Sequence, residues 1–163
     1  MAERYFEDYP AGAVFEGGAV VVSDDDIVEF ARRYDPQTMH TDPEAAEHGY
    51  FGGLIASGWH TAALMMRLFA TYFLSPVSSL ASPGIDELRW LKPVRPGDVL
   101  SLRVTVTEAR RSRSKPDQGI VRSLIEVLNQ RSEVVMSLKP ISLIRCRPAQ
   151  HVGAQELSAP GAG

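Results

Sequence analysis

The chain has 163 residues, the usual length of one domain, and its 44% hydrophobic and 23% charged residues are those of a soluble globular protein. Its formal net charge of −3 argues against nucleic-acid binding, which requires a basic face. The only cysteine, Cys146, excludes an internal disulfide, and the acidic N-terminus lacks the apolar run of a signal peptide, so a cytoplasmic protein is expected.

The first helix is predicted from its two ends. Ser23, with Asp26 three positions on, forms a variant of the capping box, so the helix begins near Asp24. It must end near Asp35, because Pro36 restricts the residue before it to extended conformations.

Two more helices follow. Pro43, with Asp42 as its cap, begins a short one. After a glycine-rich turn at 49–53, Ser57 caps a helix that runs to about residue 74 and is apolar over nearly its whole circumference, so other elements must enclose it. The same stretch contains Arg67 and has no basic flank, which predicts a buried core helix and no membrane span.

The second half of the chain carries strand signals, mainly alternating apolar and polar residues. Strands are predicted at 14–22, 86–91, 100–107, 121–127 and 133–144. Pro140 predicts an edge position or a bulge for the last of these. Helices followed by antiparallel strands indicate an α+β fold in one domain, residues 1–146, with a disordered tail at 147–163.

The loop after the first helix places a carboxylate and an imidazole five residues apart, Asp35 and His40. Because Pro36 interrupts the helix, both lie on an irregular segment where their side chains can turn toward one point, whereas on a continuous helix they would be about 140° apart. Such a pair is suited to general acid/base catalysis. The alternative is structural, with Asp35 and Asp42 as helix caps and His40 at the surface.

The start of the apolar helix is a second candidate site. Free backbone N–H groups there, with the positive end of the helix dipole, can bind a carbonyl oxygen that gains negative charge. Gly58 has no side chain to block that approach. The alternative is that Ser57 only caps the helix and that Gly58 permits close packing of the helix on a sheet.

Together these residues resemble the MaoC-like dehydratase family, to which the (R)-specific enoyl-CoA hydratases belong. The resemblance rests on Asp35-x-x-x-x-His40, on the Asp-Pro-Glu-Ala-Ala that follows, and on Phe-Gly-Gly-Leu-Ile-Ala-Ser-Gly-Trp-His. The clear match covers residues 23–70, and the strand-rich half fits the family's fold to about residue 146. The resemblance implies a hot-dog fold, in which an antiparallel sheet curls around one long helix, and a homodimer or larger homo-oligomer.

The resemblance also implies an activity, the reversible addition of water to a trans-2-enoyl thioester of coenzyme A or acyl carrier protein, giving an (R)-3-hydroxyacyl thioester. Asp35 and His40 would act together on water and on the α-carbon, and the Gly58 N–H would bind the thioester oxygen. Ser57 and Trp59 would contact the substrate. Coenzyme A is then part of the substrate, and no separate cofactor or metal is expected.

The chain departs from the family pattern at two places. Family hydratases commonly have Asp-x-Asn-Pro-x-His, where this chain has Pro36 and Gln37 in the middle, and often His-Gly, where it has Ser57-Gly58. The catalytic pair survives both changes, and what they put in doubt is the identity of the acyl group.

A basic stretch lies ahead of the turn at residues 116–119. It has four cations in six residues, Arg110, Arg111, Arg113 and Lys115 with two serines between them. Arg111, Arg113 and Lys115 are predicted to hold the phosphates of coenzyme A, as basic side chains commonly do. The alternative is a solvated hairpin tip.

Two other enzyme classes compete for the same residues. A hot-dog thioesterase would attack the carbonyl carbon, often with a carboxylate on the central helix, but residues 57–74 contain no Asp or Glu. A serine hydrolase built from Ser57, His60 and Asp35 would lack the Gly-x-Ser-x-Gly elbow.

The remaining alternatives are not hydrolytic. A metal site from His40, Asp42 and His60 does not have a ligand spacing typical of zinc. A non-catalytic thioester-binding or dimerisation module is disfavoured by the presence of Asp35, His40 and Gly58 together, and turnover of enoyl thioesters would distinguish it from an enzyme.

Overall fold

Five antiparallel strands form one sheet in the computed structural model, which describes residues 3–148. Their spatial order is β1-β3-β4-β5-β2. The strands are β1 (Val14–Val21), β2 (Ser79–Trp90), β3 (Val99–Arg111), β4 (Gln118–Leu128) and β5 (Val134–Arg145). The predicted α+β architecture is confirmed.

Four helices precede the second strand, and one 3-10 turn lies near the N-terminus. The helices are α1 (Asp24–Tyr34), α2 (Thr38–Thr41), α3 (Pro43–Glu47) and α4 (Gly58–Tyr72), and the 3-10 turn is Phe6–Asp8. The three predicted caps are confirmed: side-chain oxygens of Ser23, Asp42 and Ser57 accept backbone N–H groups of the first turn at 3.1, 3.0 and 3.2 Å. Short polar side chains at these positions fix where each helix begins.

The segment after Asp35 is more regular than predicted. Asp35 ends α1 and is not helical, but the chain then forms the single helical turn α2, which contains His40. Gln37 and Asp42, both extended, bound this turn. Pro36 therefore separates two helices, and the prediction of an irregular segment was correct for Asp35 and wrong for His40.

The long helix α4 packs on one face of the sheet. Met65, Leu68, Phe69 and, just past the helix, Phe73 belong to one buried cluster with apolar residues of β3, β4 and β5. Each such side chain contributes about 1.5–3 kcal/mol by leaving water. This helix-on-sheet core is the arrangement of the hot-dog fold.

The opposite face of α4 is not covered. Trp59 and Met66 are 58% and 45% exposed, and Ala63 and Ala70 lie exposed between and beyond them. The prediction that other elements of the chain enclose the helix on all sides was therefore wrong, because one sheet can cover only one side of a helix. Within residues 3–148, nothing buries the apolar residues on this face.

The strand around Pro140 is not at an edge. β5 lies between β4 and β2, so the edge prediction was wrong. An irregularity does accompany the proline, but on the neighbouring strand: the β2–β5 register shifts on both sides of Ile85, the residue that pairs with Pro140. The edge strands are β1 and β2. β2 begins at Ser79 and not at residue 86, because an edge tolerates its Pro83 and Gly84.

Two further predictions concern the C-terminal tail and the possibility of a membrane span. The tail predicted at 147–163 lies outside the described residues except for Arg147 and Pro148, and the domain boundary at residue 146 stays a prediction. Within residues 3–148, no helix combines the length and the hydropathy that crossing a membrane requires.

Candidate active site

The structure brings Asp35 and His40 together. Nε2 of His40 lies 3.5 Å from Oδ2 of Asp35, and the His40 side chain is 5% exposed. Pro36 ends α1 after Asp35, and the turn of α2 then carries His40 back toward the carboxylate. The structural alternative fails for both residues, since His40 is not at the surface and the Asp35 side chain caps no helix.

The second ring nitrogen of His40 fixes its tautomer. Nδ1 is 2.8 Å from the backbone carbonyl of Ile55, which can only accept, so Nδ1 carries the hydrogen in neutral His40. Nε2 then presents a lone pair to Oδ2 of Asp35. Two acceptors 3.5 Å apart do not bond to each other, but they can each accept one hydrogen of a single water molecule.

The carbonyl that holds His40 is itself held by backbone bonds. Ile55 donates its N–H to Met39 at 3.3 Å, and Ala56 donates to Val94 at 2.8 Å. This short extended segment connects the glycine-rich turn to α4. Its backbone is anchored at both residues, so the imidazole is presented to Asp35 in one orientation.

Both oxygens of Asp35 accept hydrogen bonds. Ser57 Oγ donates to Oδ2 at 2.6 Å, and Gln37 Nε2 donates to Oδ1 at 2.7 Å. These two bonds, the Ser57 bond first, hold the pKa of Asp35 below its ordinary value, against the opposing effect of burial. Asp35 is therefore an ionised carboxylate at neutral pH.

Ser57 does not have the position expected of a substrate contact. It is fully buried, its hydroxyl contacts Asp35 and the Trp59 N–H, and it is not among the residues that line the neighbouring cavity. The sequence analysis correctly identified Ser57 as the cap of this helix, but it did not foresee the bond to Asp35. Nothing in the local sequence reveals that a side chain 22 residues earlier would reach it.

A cavity of about 440 Å³ opens beside the pair, and Asp35, His40 and Gly58 all line it. Most of the remaining wall is apolar, formed by Met39, Phe51, Ile55, Trp59, Trp90 and Leu91. A mainly apolar pocket with a few converging polar groups is typical of small-molecule binding.

Gly58 is covered by Trp90 of β2. The indole Nε1 donates to the Gly58 carbonyl at 2.9 Å, and a Cβ atom on Gly58 would lie 2.4 Å from the indole ring. The close-packing interpretation of this glycine is thus correct. The Gly58 N–H has no acceptor among the described residues and is therefore able to donate to a substrate. Its role as the donor to the thioester oxygen stays a prediction.

Trp90 is a cavity residue that sequence reasoning missed. Its ring meets that of Trp59 edge to face, with centroids 5.3 Å apart, and the two indoles form one wall of the cavity. Trp90 lies in a predicted strand, but only the tertiary fold brings that strand to the start of α4. No sequence signal could have found it.

The basic stretch lies at the far end of the sheet. Cross-strand pairing puts Leu102 of β3 level with Trp90. Arg111 is nine residues further along β3, about 30 Å away at the rise of a strand, and it bonds Glu7 at 2.7 Å. The structure therefore does not bring Arg111, Arg113 or Lys115 to the cavity, and phosphate binding by them at this site would require a second chain.

His60 does not join the other candidates. Its ring stacks on Phe30 of α1 with centroids 4.8 Å apart, and it does not line the cavity. The described residues contain no group of three or more His, Cys, Asp or Glu side chains placed to hold a metal ion. Neither the hydrolase triad nor the metal site that used His60 is assembled.

The burial of His60 predicts a pH-dependent stability. Burial lowers the pKa of His60, and its Nδ1 has no hydrogen-bond partner among the described residues. Since the unfolded chain binds a proton near the ordinary pKa of about 6.5 and the folded chain only at lower pH, His60 destabilises the fold as the pH falls below that value. We expect His60→Phe to flatten the decrease in Tm from pH 7 toward pH 5.

The matched control for this measurement is His48→Gln, which removes an exposed histidine at the end of α3. It should leave the pH dependence of Tm unchanged. Equal slopes for wild type, His60→Phe and His48→Gln would contradict the assignment of this effect to His60.

Comparisons with known proteins agree on one family. Residues 10–127 match the family model described as MaoC like domain. An uncharacterised protein of Bacillus subtilis (strain 168), YdeM, is 34% identical over 125 residues, 77% of this chain and 87% of that protein. The structure of a MaoC-like dehydratase from Rhodospirillum rubrum has 41% sequence identity and a TM-score of 0.83, covering 89% of this chain and 99% of that one.

The fold also matches that of a more distant protein. The (R)-hydratase PhaJ1 from Pseudomonas aeruginosa has 23% sequence identity and a TM-score of 0.70, over 88% of this chain and 86% of that one. At this identity the likeness concerns the fold alone.

Proposed function

The chain belongs to the MaoC-like dehydratase family, and from this premise we propose that it catalyses the reversible hydration of a trans-2-enoyl thioester to an (R)-3-hydroxyacyl thioester. One observation carries the proposal. Nε2 of His40 and Oδ2 of Asp35 lie 3.5 Å apart at the wall of the cavity, a separation at which one water molecule can donate a hydrogen to each. The (R) configuration rests on the family resemblance.

In the hydration direction, the water donates one hydrogen to each member of the pair. Its oxygen forms a bond to the β-carbon while His40 Nε2 takes one proton, and the electron pair of the double bond moves toward the thioester oxygen. The resulting enolate then accepts that proton at the α-carbon, which restores neutral His40. All atoms of the water are thereby added across the double bond.

Asp35 and Gly58 stabilise the charges of this sequence. The ionised carboxylate of Asp35 faces the imidazolium that forms on His40 and orients the water. The Gly58 N–H, at the positive end of α4, stabilises the enolate oxygen. The apolar wall of the cavity supports an acyl group beside these residues, on coenzyme A or acyl carrier protein.

A second copy of the chain is the proposed partner. Apolar residues are exposed both on α4, at Trp59 and Met66, and on the edge strand β2, at Ile85 and Trp90. Exposed apolar residues beside the open edge of a sheet are typical of an interface. A sedimentation-equilibrium mass of a monomer at micromolar concentration would contradict the homodimer.

The test of the activity uses crotonyl-CoA with purified protein, following loss of the enoyl thioester's ultraviolet absorbance and release of free thiol in parallel. We expect absorbance loss without thiol. Thiol release would replace the proposal with a thioesterase. If neither occurs, longer and branched enoyl thioesters are tested, and inactivity on all of them would contradict an enoyl-thioester hydratase.

A further inference from the structure

The two places where the chain departs from the family pattern meet at one carboxylate. Gln37 and Ser57 are 20 residues apart in sequence, yet each donates to Asp35, one to Oδ1 and one to Oδ2. A free carboxylate rotates easily about its terminal torsion, which has broad minima. A separate donor on each oxygen removes that freedom.

The donor on Oδ2 is itself oriented. Trp59 donates its backbone N–H to Ser57 Oγ at 3.2 Å, and the hydroxyl hydrogen then points to Asp35 at 2.6 Å. Ser57 is fully buried, so water does not compete for this bond. The bond also fixes the carboxylate relative to Gly58, the next residue, whose N–H is the proposed donor to the thioester oxygen.

We propose that Ser57 and Gln37 are positioning residues that hold the Asp35 carboxylate with Oδ2 facing Nε2 of His40. This inference rests on the proposed function and deepens it, because it assigns the orientation of the Asp35 carboxylate to two side chains that bond Asp35 and take no part in the proton transfer. Ser57 is the stronger of the two, since it is buried and bonds the oxygen that faces His40.

The other charged groups near Asp35 do not provide this control. His40 and Lys92 are the remaining titratable residues that line the cavity. Lys92 is engaged elsewhere, since its Nζ bonds Glu133 at 2.5 Å. The Ser57 and Gln37 bonds also lower the pKa of Asp35 more than His40 does, which agrees with their geometry.

The test combines a titration with kinetics. The Asp35 carboxyl carbon is titrated by NMR in wild type, Ser57→Ala and Gln37→Leu, and kcat and KM are measured across pH on a thioester that the wild type hydrates. We expect the Asp35 midpoint to rise in both variants, more in Ser57→Ala. We also expect kcat of Ser57→Ala to fall about 10- to 100-fold with KM nearly unchanged, and its acid limb to move to higher pH.

Two further variants keep the experiment decisive. Ser57→Cys preserves the volume of the side chain but donates weakly, so it should lie between wild type and Ser57→Ala, and it replaces Ser57→Ala if that variant does not fold. Thr71→Ala removes a hydroxyl from the distal end of α4, where it donates to the Arg67 carbonyl at 2.7 Å, and should change neither readout.

An unchanged Asp35 midpoint in folded Ser57→Ala or Ser57→Cys would overturn the proposal. A raised midpoint with unchanged kcat would overturn it as well. The titration does not depend on turnover, so a wild type that hydrates no thioester would refute the proposed function, while NMR would still test whether Ser57 and Gln37 donate to the Asp35 carboxylate.

Discussion

Asp35→Asn and His40→Ala are each expected to lower kcat for enoyl-thioester hydration by about 10²–10⁴-fold, the usual contribution of a positioned acid/base group. Asn keeps the shape of Asp35 but removes the charge that stabilises the imidazolium. Ala removes Nε2, the group that takes the proton. The measurement is the initial rate of absorbance loss at saturating substrate.

The double variant, Asp35→Asn with His40→Ala, tests whether the two side chains act together in one step or independently. Because both side chains bind one water molecule, removing both should lower kcat little more than removing one. Asp117→Asn and His48→Ala remove an exposed carboxylate and an exposed imidazole elsewhere and should have wild-type rates. Wild-type turnover in both single variants of the pair would refute the mechanism.

The parts of the fold that the sequence predicts are those fixed by local interactions. Ser23, Asp42 and Ser57 each cap a helix by bonding an N–H two or three residues away, so their effect is visible in a short window. Alternating apolar residues predicted β3 and β4 for the same reason. The beginning of β2 was missed because Pro83 and Gly84 favour turns and give no strand signal in a short window, although an edge strand tolerates both.

The site divides in the same way. Asp35 and His40 are close in sequence and were found together, whereas the contacts that define their geometry are long-range. Ser57 reaches Asp35 across 22 residues, and Trp90 reaches Gly58 across 32. The basic residues before the 116–119 turn were assigned to the substrate from their charge alone. In the fold, Arg111 at the end of β3 lies about 30 Å along the strand from Leu102, the β3 residue level with the cavity wall.

Gly58→Ala is the second substitution with a large expected effect. Two opposing contributions, helix propensity and overpacking, determine the change in its free energy of unfolding. Ala is favoured over Gly in a helix by about 1 kcal/mol. Its Cβ, however, would lie 2.4 Å from the Trp90 indole, and overpacking of this kind costs about 1–3 kcal/mol. We expect a net loss of about 1–2 kcal/mol in the free energy of unfolding, measured with denaturant, because the displaced indole also loses its 2.9 Å bond to the Gly58 carbonyl.

The loss of activity in Gly58→Ala should exceed the loss of stability, because Trp90 is a wall of the cavity as well as the cover of Gly58. We expect kcat/KM to fall about 10- to 100-fold as the indole moves. Trp90→Phe supplies the control: a smaller ring leaves room for the added methyl group, so the double variant should lose less free energy of unfolding than the two single variants added together. Additive losses would show that the added methyl group does not contact the indole, and would contradict the assignment of the Gly58→Ala effect to Trp90.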